Sequence, residues 1–275
     1  MKRPPYLNKQ NKYIVTLPIE GVEQKLELLR VSSFCGMLDK PALNEWIQRI
    51  ALLGISLDPE YFARKITEVR SHDLPKKEIN SRLNDIFSKA FLTGGGNNAA
   101  SYGTEVHAIV EEFITGRLSG AKFASLTPGM QSQLKGLRQE IVLLTGSKNP
   151  VELTERVIVN TKYNVAGRYD MCLRLADGTH VIADIKTGSV APYAVKGFSP
   201  QLYLYASADY TYNPATEWYE PMPEGIICGE DGYGIIFHLP RGGDTCQALK
   251  VPYGYGVKAV NIYKQIIDLN ADNSL

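Results

Sequence analysis

With 275 residues, 44 % of them hydrophobic and 21 % charged, the chain has the apolar material of one large folded domain with an accessory region, which excludes a disordered segment. A formal net charge of +1 argues against a protein that simply coats nucleic acid and leaves any polyanion path to a local stripe. No apolar run reaches the roughly 18 residues of a membrane span. The basic start Met1-Lys2-Arg3-Pro4-Pro5 lacks a secretory apolar stretch, and the cysteines (Cys35, Cys172, Cys228, Cys246) stand singly, so the expectation is a soluble, cytoplasmic protein.

Residues 12–17 and 24–31 alternate as a short strand pair, with Pro18, Glu20 and Gly21 in the connection. Asp39 or a neighbour caps a helix, and Leu43, Trp46, Ile47, Ile50 and Leu53 recur at helical spacing in a region that runs to about residue 92, punctuated by Pro59 and Pro75. Gly94-Gly95-Gly96-Asn97-Asn98 reads as the most flexible stretch. A second helical block covers 102–144, broken at Thr127-Pro128-Gly129. Beyond Pro150 the composition turns β-branched, predicting strands over 152–159, 165–175, 180–186, 225–228, 233–239 and 247–251, and helices over 200–210 and 253–269. Helices first, then strands with one inserted helix, predict an α+β or mixed α/β fold. The expected division is an N-terminal strand pair and helical region over 1–100 and a core over 101–275.

The stretch 167–188 carries the chemistry. Odd positions from Tyr169 to Leu175 and from Val181 to Ile185 are apolar, and most even ones (Arg168, Asp170, Arg174, His180, Asp184, Lys186) are polar, as in a half-buried hairpin. A three-residue turn Ala176-Asp177-Gly178, with Gly178 left-handed, pairs Leu175 with Thr179; a two-residue turn would set apolar against charged positions. The favoured register sets Asp170 across from Asp184 and Arg168 across from Lys186. Opposed carboxylates repel, and a divalent cation is the simplest offset. Hard oxygen ligands suit Mg²⁺ or Mn²⁺, with Lys186 as a fixed positive charge beside the ion. Asp-x-Lys alone is common and also fits a solvated polar face.

Two helix starts flank this hairpin. Gly103-Thr104-Glu105-Val106-His107 leads a helix on which His107 and Glu111 share a face, with Val106, Ile109, Val110 and Phe113 towards the core. Ser199 as cap and Pro200 at the first helical position lead a helix bearing Gln201 and Tyr205 four apart. Each alone fits packing or surface as well as function.

In order, Gly103 to His107, Gly167 to Asp170, Asp184-Ile185-Lys186-Thr187 and Gln201 to Tyr205 resemble the Gly-x-x-x-His, Gly-x-x-Asp, Asp-x-Lys-Thr and Gln-x-x-x-Tyr motifs of the RecB-like branch of the PD-(D/E)XK nuclease superfamily. Arg30-Val31-Ser32-Ser33 and the 39–46 segment also resemble the start of phage-encoded RecB-like exonucleases. The resemblance implies a restriction-endonuclease-like core, a mixed central sheet flanked by helices. It implies metal ligation by His107, Asp170, Asp184 and the Ile185 carbonyl, with Asp170, Asp184, Lys186, Gln201 and Tyr205 as the catalytic set. Lys186 would polarise the attacking water, and Gln201 and Tyr205 would brace the site and touch the DNA backbone. Glu155 and Glu111 either support this set from behind or serve the fold alone. Relatives with an iron–sulfur cluster use one upstream cysteine and three grouped downstream; Cys228 and Cys246 are too far apart, so no cluster is expected. The implied partner is DNA, with a recombination or single-strand-binding protein as a further candidate, in a phage or bacterial recombination, repair or replication setting. Arg64, Lys65, Arg70, Lys76 and Lys77 of the helical region either arch over a DNA strand or form a solvated face. Rival readings are a non-catalytic nucleic-acid-binding or recombination-accessory module on a nuclease fold, and a hydrolase of another phosphodiester.

Overall fold

In the computed structural model the β-branched runs form two mixed sheets, and the chain belongs to the α+β class expected from its sequence. The structure describes residues 4–19, 22–36, 41–71, 73–147, 151–188 and 195–272. Two compact units emerge: Met1–Met37 with Val106–Leu275, and Leu38–Glu105. The strand pair expected to belong with an N-terminal region over 1–100 thus sits in the larger unit, because its second strand is hydrogen-bonded into a sheet of that unit.

Among the described residues, the first sheet runs in the order β1 (Tyr6–Leu7), β2 (Tyr13–Ile19), β3 (Val22–Arg30), β6 (Val165–Arg168), β5 (Val157–Asn160), β9 (Tyr210–Asn213) and β10 (Trp218–Pro221). The second runs β12 (Gln247–Pro252), β11 (Tyr233–His238), β8 (His180–Lys186), β7 (Met171–Arg174) and β4 (Val151–Thr154). The β3–β6 and β8–β11 pairs are parallel and the others antiparallel.

Two expected strands are each split between the sheets. Residues 152–159 become β4 and β5, and 165–175 become β6 and β7. The chain bends at Glu155–Arg156 and, alongside, at Tyr169–Asp170, where Glu155 N donates to Asp170 O (3.0 Å) and Tyr169 N to Arg156 O (3.3 Å). A left-handed φ of 50° at Glu155 makes the turn, an uncommon conformation for a residue with a Cβ. Pro18, expected in the connection, lies inside β2 opposite Glu23. Residues 225–228 contribute one bridge, Ile226 to His180, and no full strand.

The helices of the larger unit are α1 (Val31–Cys35), the part of α5 (Asn97–Ile114) from Val106 on, α6 (Gly120–Ser125), α7 (Pro128–Thr145), α8 (Val195–Ala206) and α9 (Gly254–Asp272). The break read at Thr127-Pro128 is the start of α7: the Thr127 hydroxyl accepts from Met130 N, Pro128 stands in the first turn, and left-handed Gly146 ends the helix. Helix α8 packs on β8, β11, β12 and α9. It starts at Val195, so Ser199 and Pro200 lie within it and not at its entry. The Ser199 hydroxyl instead donates to Pro252 O (2.7 Å) and accepts from Gly256 N (2.9 Å), capping the start of α9. Val31, Phe34, Ile158, Tyr169, Cys172, Ile182, Leu202, Leu204, Ile236 and Val260 join in one apolar core, each large side chain worth about 1.5–3 kcal/mol on burial. Asn160, fully buried, ties β5 to the end of α8 by donating to Leu204 O (3.2 Å) and Ser207 O (3.1 Å).

The smaller unit holds α2 (Pro41–Leu57), α3 (Pro59–Ser71) and α4 (Lys76–Thr93) around buried Ala51, Phe62 and Ala90. Helices α2 and α4 touch backbone to backbone: a Cβ on Gly54 would stand 1.8 Å from Ala90 O. The glycine run expected to be flexible is a bonded turn, with Gly94 N donating to Ala90 O and Gly96 N to Phe91 O. The Asp39 cap lies outside the described residues.

Candidate active site

The hairpin turn has the expected form. Leu175 N donates to Thr179 O (2.8 Å), Gly178 is left-handed (φ 87°), and Asp177 Oδ1 accepts from Thr179 N and Oγ1. The ladder from Arg174↔His180 to Met171↔Ala183 follows the three-residue register. Two expectations fail beyond it. Arg168 pairs with Val157 of β5 and not with Lys186, because the chain leaves the hairpin at Asp170. The hairpin is also buried on both faces, as a central pair of a five-stranded sheet: Met171 to Leu173 and Val181 to Ile185 are all shielded.

Asp170 and Asp184 remain neighbours at the ladder's open end, 8 % and 3 % exposed. Asp170 Oδ2 accepts from Ile185 N (2.6 Å), and Oδ1 faces His107 Nδ1 of α5 (3.2 Å). Asp184 Oδ2 is in charge contact with the Lys186 ammonium but has no well-directed hydrogen bond. The repulsion that seemed to demand a cation is thus met partly by Lys186, His107 and one amide. Burial still raises the Asp184 carboxyl above the ordinary carboxylate range, against the pull of Lys186 and with a push from Asp170. Burial opposes charge on Lys186 too, but Asp184 outweighs it and the ammonium is held. Burial likewise works against a charged His107, yet the hydrogen bond and charge of Asp170, with Asp184 behind, raise its imidazole despite Lys186.

Glu155 enters the same site. One carboxylate oxygen each from Glu155 and Asp170 and a ring nitrogen of His107 lie within 4.8 Å of one another. The paired bends cause this, since they set residues 155 and 170 side by side between the sheets. Glu155 binds Arg168 Nε through Oε2 (2.8 Å). Its carboxyl is raised to about 7 by burial first, then by Asp170, with Arg168 opposing. Glu111, the other residue weighed for a supporting role, is ion-paired with Arg117, and its charge also pushes the Glu155 carboxyl up. Lys186 O accepts from Leu239 N on the β11 side, so strand alternation turns the Ile185 N–H and C=O to the Asp170 side.

Gln201 and Tyr205 of α8 complete the cluster: Gln201 Nε2 donates to Tyr205 Oη (3.0 Å), and burial lifts the phenol well above its usual range. His107, Asp170, Asp184, Lys186, Gln201 and Tyr205 line one cavity of about 410 Å³. Gly167 explains the packing of α8 and α1 there: a Cβ on it would stand 2.8 Å from both Tyr205 Cε1 and Val31 Cγ2.

The donor set fits a hard divalent cation. Two carboxylates and one imidazole converge, a backbone carbonyl lies on the same side, and a buried carboxylate oxygen of Asp184 lacks a directed donor. Sequence reasoning left Glu155 undecided and gave no role to Tyr13, Arg30 and Ser32, which also line the cavity. Only the Arg30-Val31-Ser32-Ser33 resemblance pointed there. Arg64, Arg70, Lys76 and Lys77 are exposed, while Lys65 pairs with Glu68.

No protein-family model matches the chain, and no curated protein does. A solved structure titled "Crystal structure of SSO0001" is similar at 16 % identity over 76 % of this chain and 84 % of that one, with a TM-score of 0.30, too low to carry an argument. Among the described residues no helix is long and apolar enough to cross a membrane.

Proposed function

We propose that the protein is a divalent-metal-dependent deoxyribonuclease that hydrolyses DNA phosphodiester bonds, acting as an exonuclease at DNA ends. The observation that carries this reading is the convergence of Asp170, Glu155 and His107 within 4.8 Å, in a site whose other buried carboxylate, Asp184, bears the Lys186 ammonium. Asp170, Glu155, His107 and the Ile185 carbonyl would hold Mg²⁺ or Mn²⁺, with Asp184 adjoining. When bound, such an ion supplies a water of lowered pKa and neutralises charge building on the phosphate. Lys186, fixed by Asp184, presents a positive charge to the reacting phosphate and its attacking water. Tyr205 is too buried to lose its proton near neutrality and serves as a donor, oriented by Gln201. Preference for ends, and a place in phage or bacterial recombination, repair or replication, rest on the resemblance to RecB-like nucleases.

The test is digestion of end-labelled linear and closed circular DNA with Mg²⁺ or Mn²⁺, comparing wild type with Asp184→Asn and Lys186→Gln, each checked for folding by circular dichroism. Loss of linear DNA by wild type alone supports the reading, and sparing of the circle makes the activity end-dependent. A folded wild type that binds DNA but cuts with neither metal would replace it with a non-catalytic binding module.

A further inference from the structure

Two arginines at the cavity mouth are left over from this account. Arg30 ends β3 and Arg168 ends β6, neighbouring parallel strands paired Arg30↔Ala166. Arg168 is two residues past Ala166, so both side chains leave the same sheet face one diagonal step apart. Tyr13, opposite Leu28 on β2, shares that face. All three line the cavity that holds Asp170, Asp184 and Lys186.

Among the described residues the two guanidiniums are only partly engaged. Lys186 is paired with Asp184, and Arg168 makes its closest approach to Glu155 through Nε (2.8 Å), its side chain 60 % exposed. Arg30, half-buried, has Nη1 on the neutral Asn11 Oδ1 (3.2 Å), and among the described residues no carboxylate pairs with it. Both guanidinium charges act on the Tyr13 hydroxyl, Arg168 the more strongly. Like charges one step apart on a sheet cost stability, and an anion bound between them would offset that repulsion. A guanidinium fork matches two non-bridging phosphate oxygens.

We propose that Arg30 and Arg168, with Tyr13 on the same sheet face, form the seat for the substrate's phosphodiester backbone beside the carboxylate cluster. This rests on the nuclease reading and deepens it by assigning the groups that hold the strand. Arg30 supplies a charge that no carboxylate among the described residues pairs with. Arg168 divides its fork, Nε holding Glu155 and the two Nη atoms meeting phosphate, so it also fixes the Glu155 carboxylate.

The experiment measures binding of a fluorescent duplex with a single-stranded tail by anisotropy, across a salt series in Mg²⁺, in an Asp184→Asn background that stops cleavage. Arg30→Gln and Arg168→Gln should each weaken binding by about tenfold or more and lower the slope of log K against log salt by about 0.7–0.9, one phosphate contact apiece. Lys258→Gln, which removes a cation paired with Glu230 outside the cavity, should change neither. Weaker binding with an unchanged salt slope would make the arginines structural and overturn the seat. If wild type digests DNA while both variants bind as the background does, the seat falls and the nuclease reading stands. No binding by the background at any salt, with no digestion by wild type, overturns both.

Discussion

Replacing Glu155 with Gln should stabilise the metal-free protein above neutral pH. The Glu155 carboxyl is lifted from its ordinary 4.5 to about 7 by burial and by Asp170, despite Arg168. Between those two values the folded chain carries a proton that the unfolded chain has released. Stability therefore falls as pH rises through the window and is flat above it, the opposite of a salt-bridged acid. At ~1.4 kcal/mol per pH unit the full span amounts to about 3 kcal/mol. Partial solvent access and the loss of a solvent-screened Arg168 pair reduce the net gain to about 1–2 kcal/mol. Gln keeps the shape and one acceptor for Arg168 while removing the charge. Thermal unfolding in EDTA should show the variant melting roughly 3–6 °C above wild type at pH 8, with most of the gain gone at pH 5. A variant equally or less stable than wild type at pH 8, or a difference independent of pH, would refute the claim that this carboxylate is held under electrostatic strain.

Substitutions at two further positions test the scaffold. Gly167→Ala puts a methyl 2.8 Å from Tyr205 and Val31, and should cost about 1–3 kcal/mol by overpacking, read as a lowered urea midpoint at unchanged m-value. Asn160→Ala removes the fully buried amide shared by Leu204 O and Ser207 O. It should cost about 2–3 kcal/mol because those carbonyls lose a charge-free but obligatory donor, whereas Asn160→Asp should fare no better, since a carboxylate cannot donate to them; chemical denaturation of both variants measures this.

What the sequence made legible followed local rules. The turn Ala176-Asp177-Gly178 set its own register through one left-handed glycine, and that register alone placed Asp170 near Asp184. Helix α7 announced its start by Thr127-Pro128, and His107 fell on the inner side of α5 because Val106 and Val110 are buried. What stayed hidden was non-local. Residues 152–159 and 165–175 are rich in β-branched and apolar residues and contain no proline, so each read as one strand. The bends that split them lie at Glu155 and Tyr169-Asp170, with no glycine or proline at the turn itself, and are imposed by the second sheet. Ser199-Pro200 misled for a related reason: the serine caps a different helix, α9, reached only through the fold.

The same bends explain why the candidate site lies where it does. Two antiparallel segments that change sheets together must break their ladder at one level, and their side chains there are released from strict alternation. Glu155 and Asp170 are the residues at that level, and Glu155 occupies a backbone conformation that costs free energy for any residue with a Cβ. A glycine would relieve that strain and an apolar residue the charge repulsion with Asp170; the chain has neither. Strain in the backbone, a carboxyl raised to about 7 and a neighbouring carboxylate coincide at one residue, and each would be offset by a single bound cation. On that physical ground the proposed cation would sit between Glu155, Asp170 and His107, with Glu155 in the place that the sequence reading had given to Asp184.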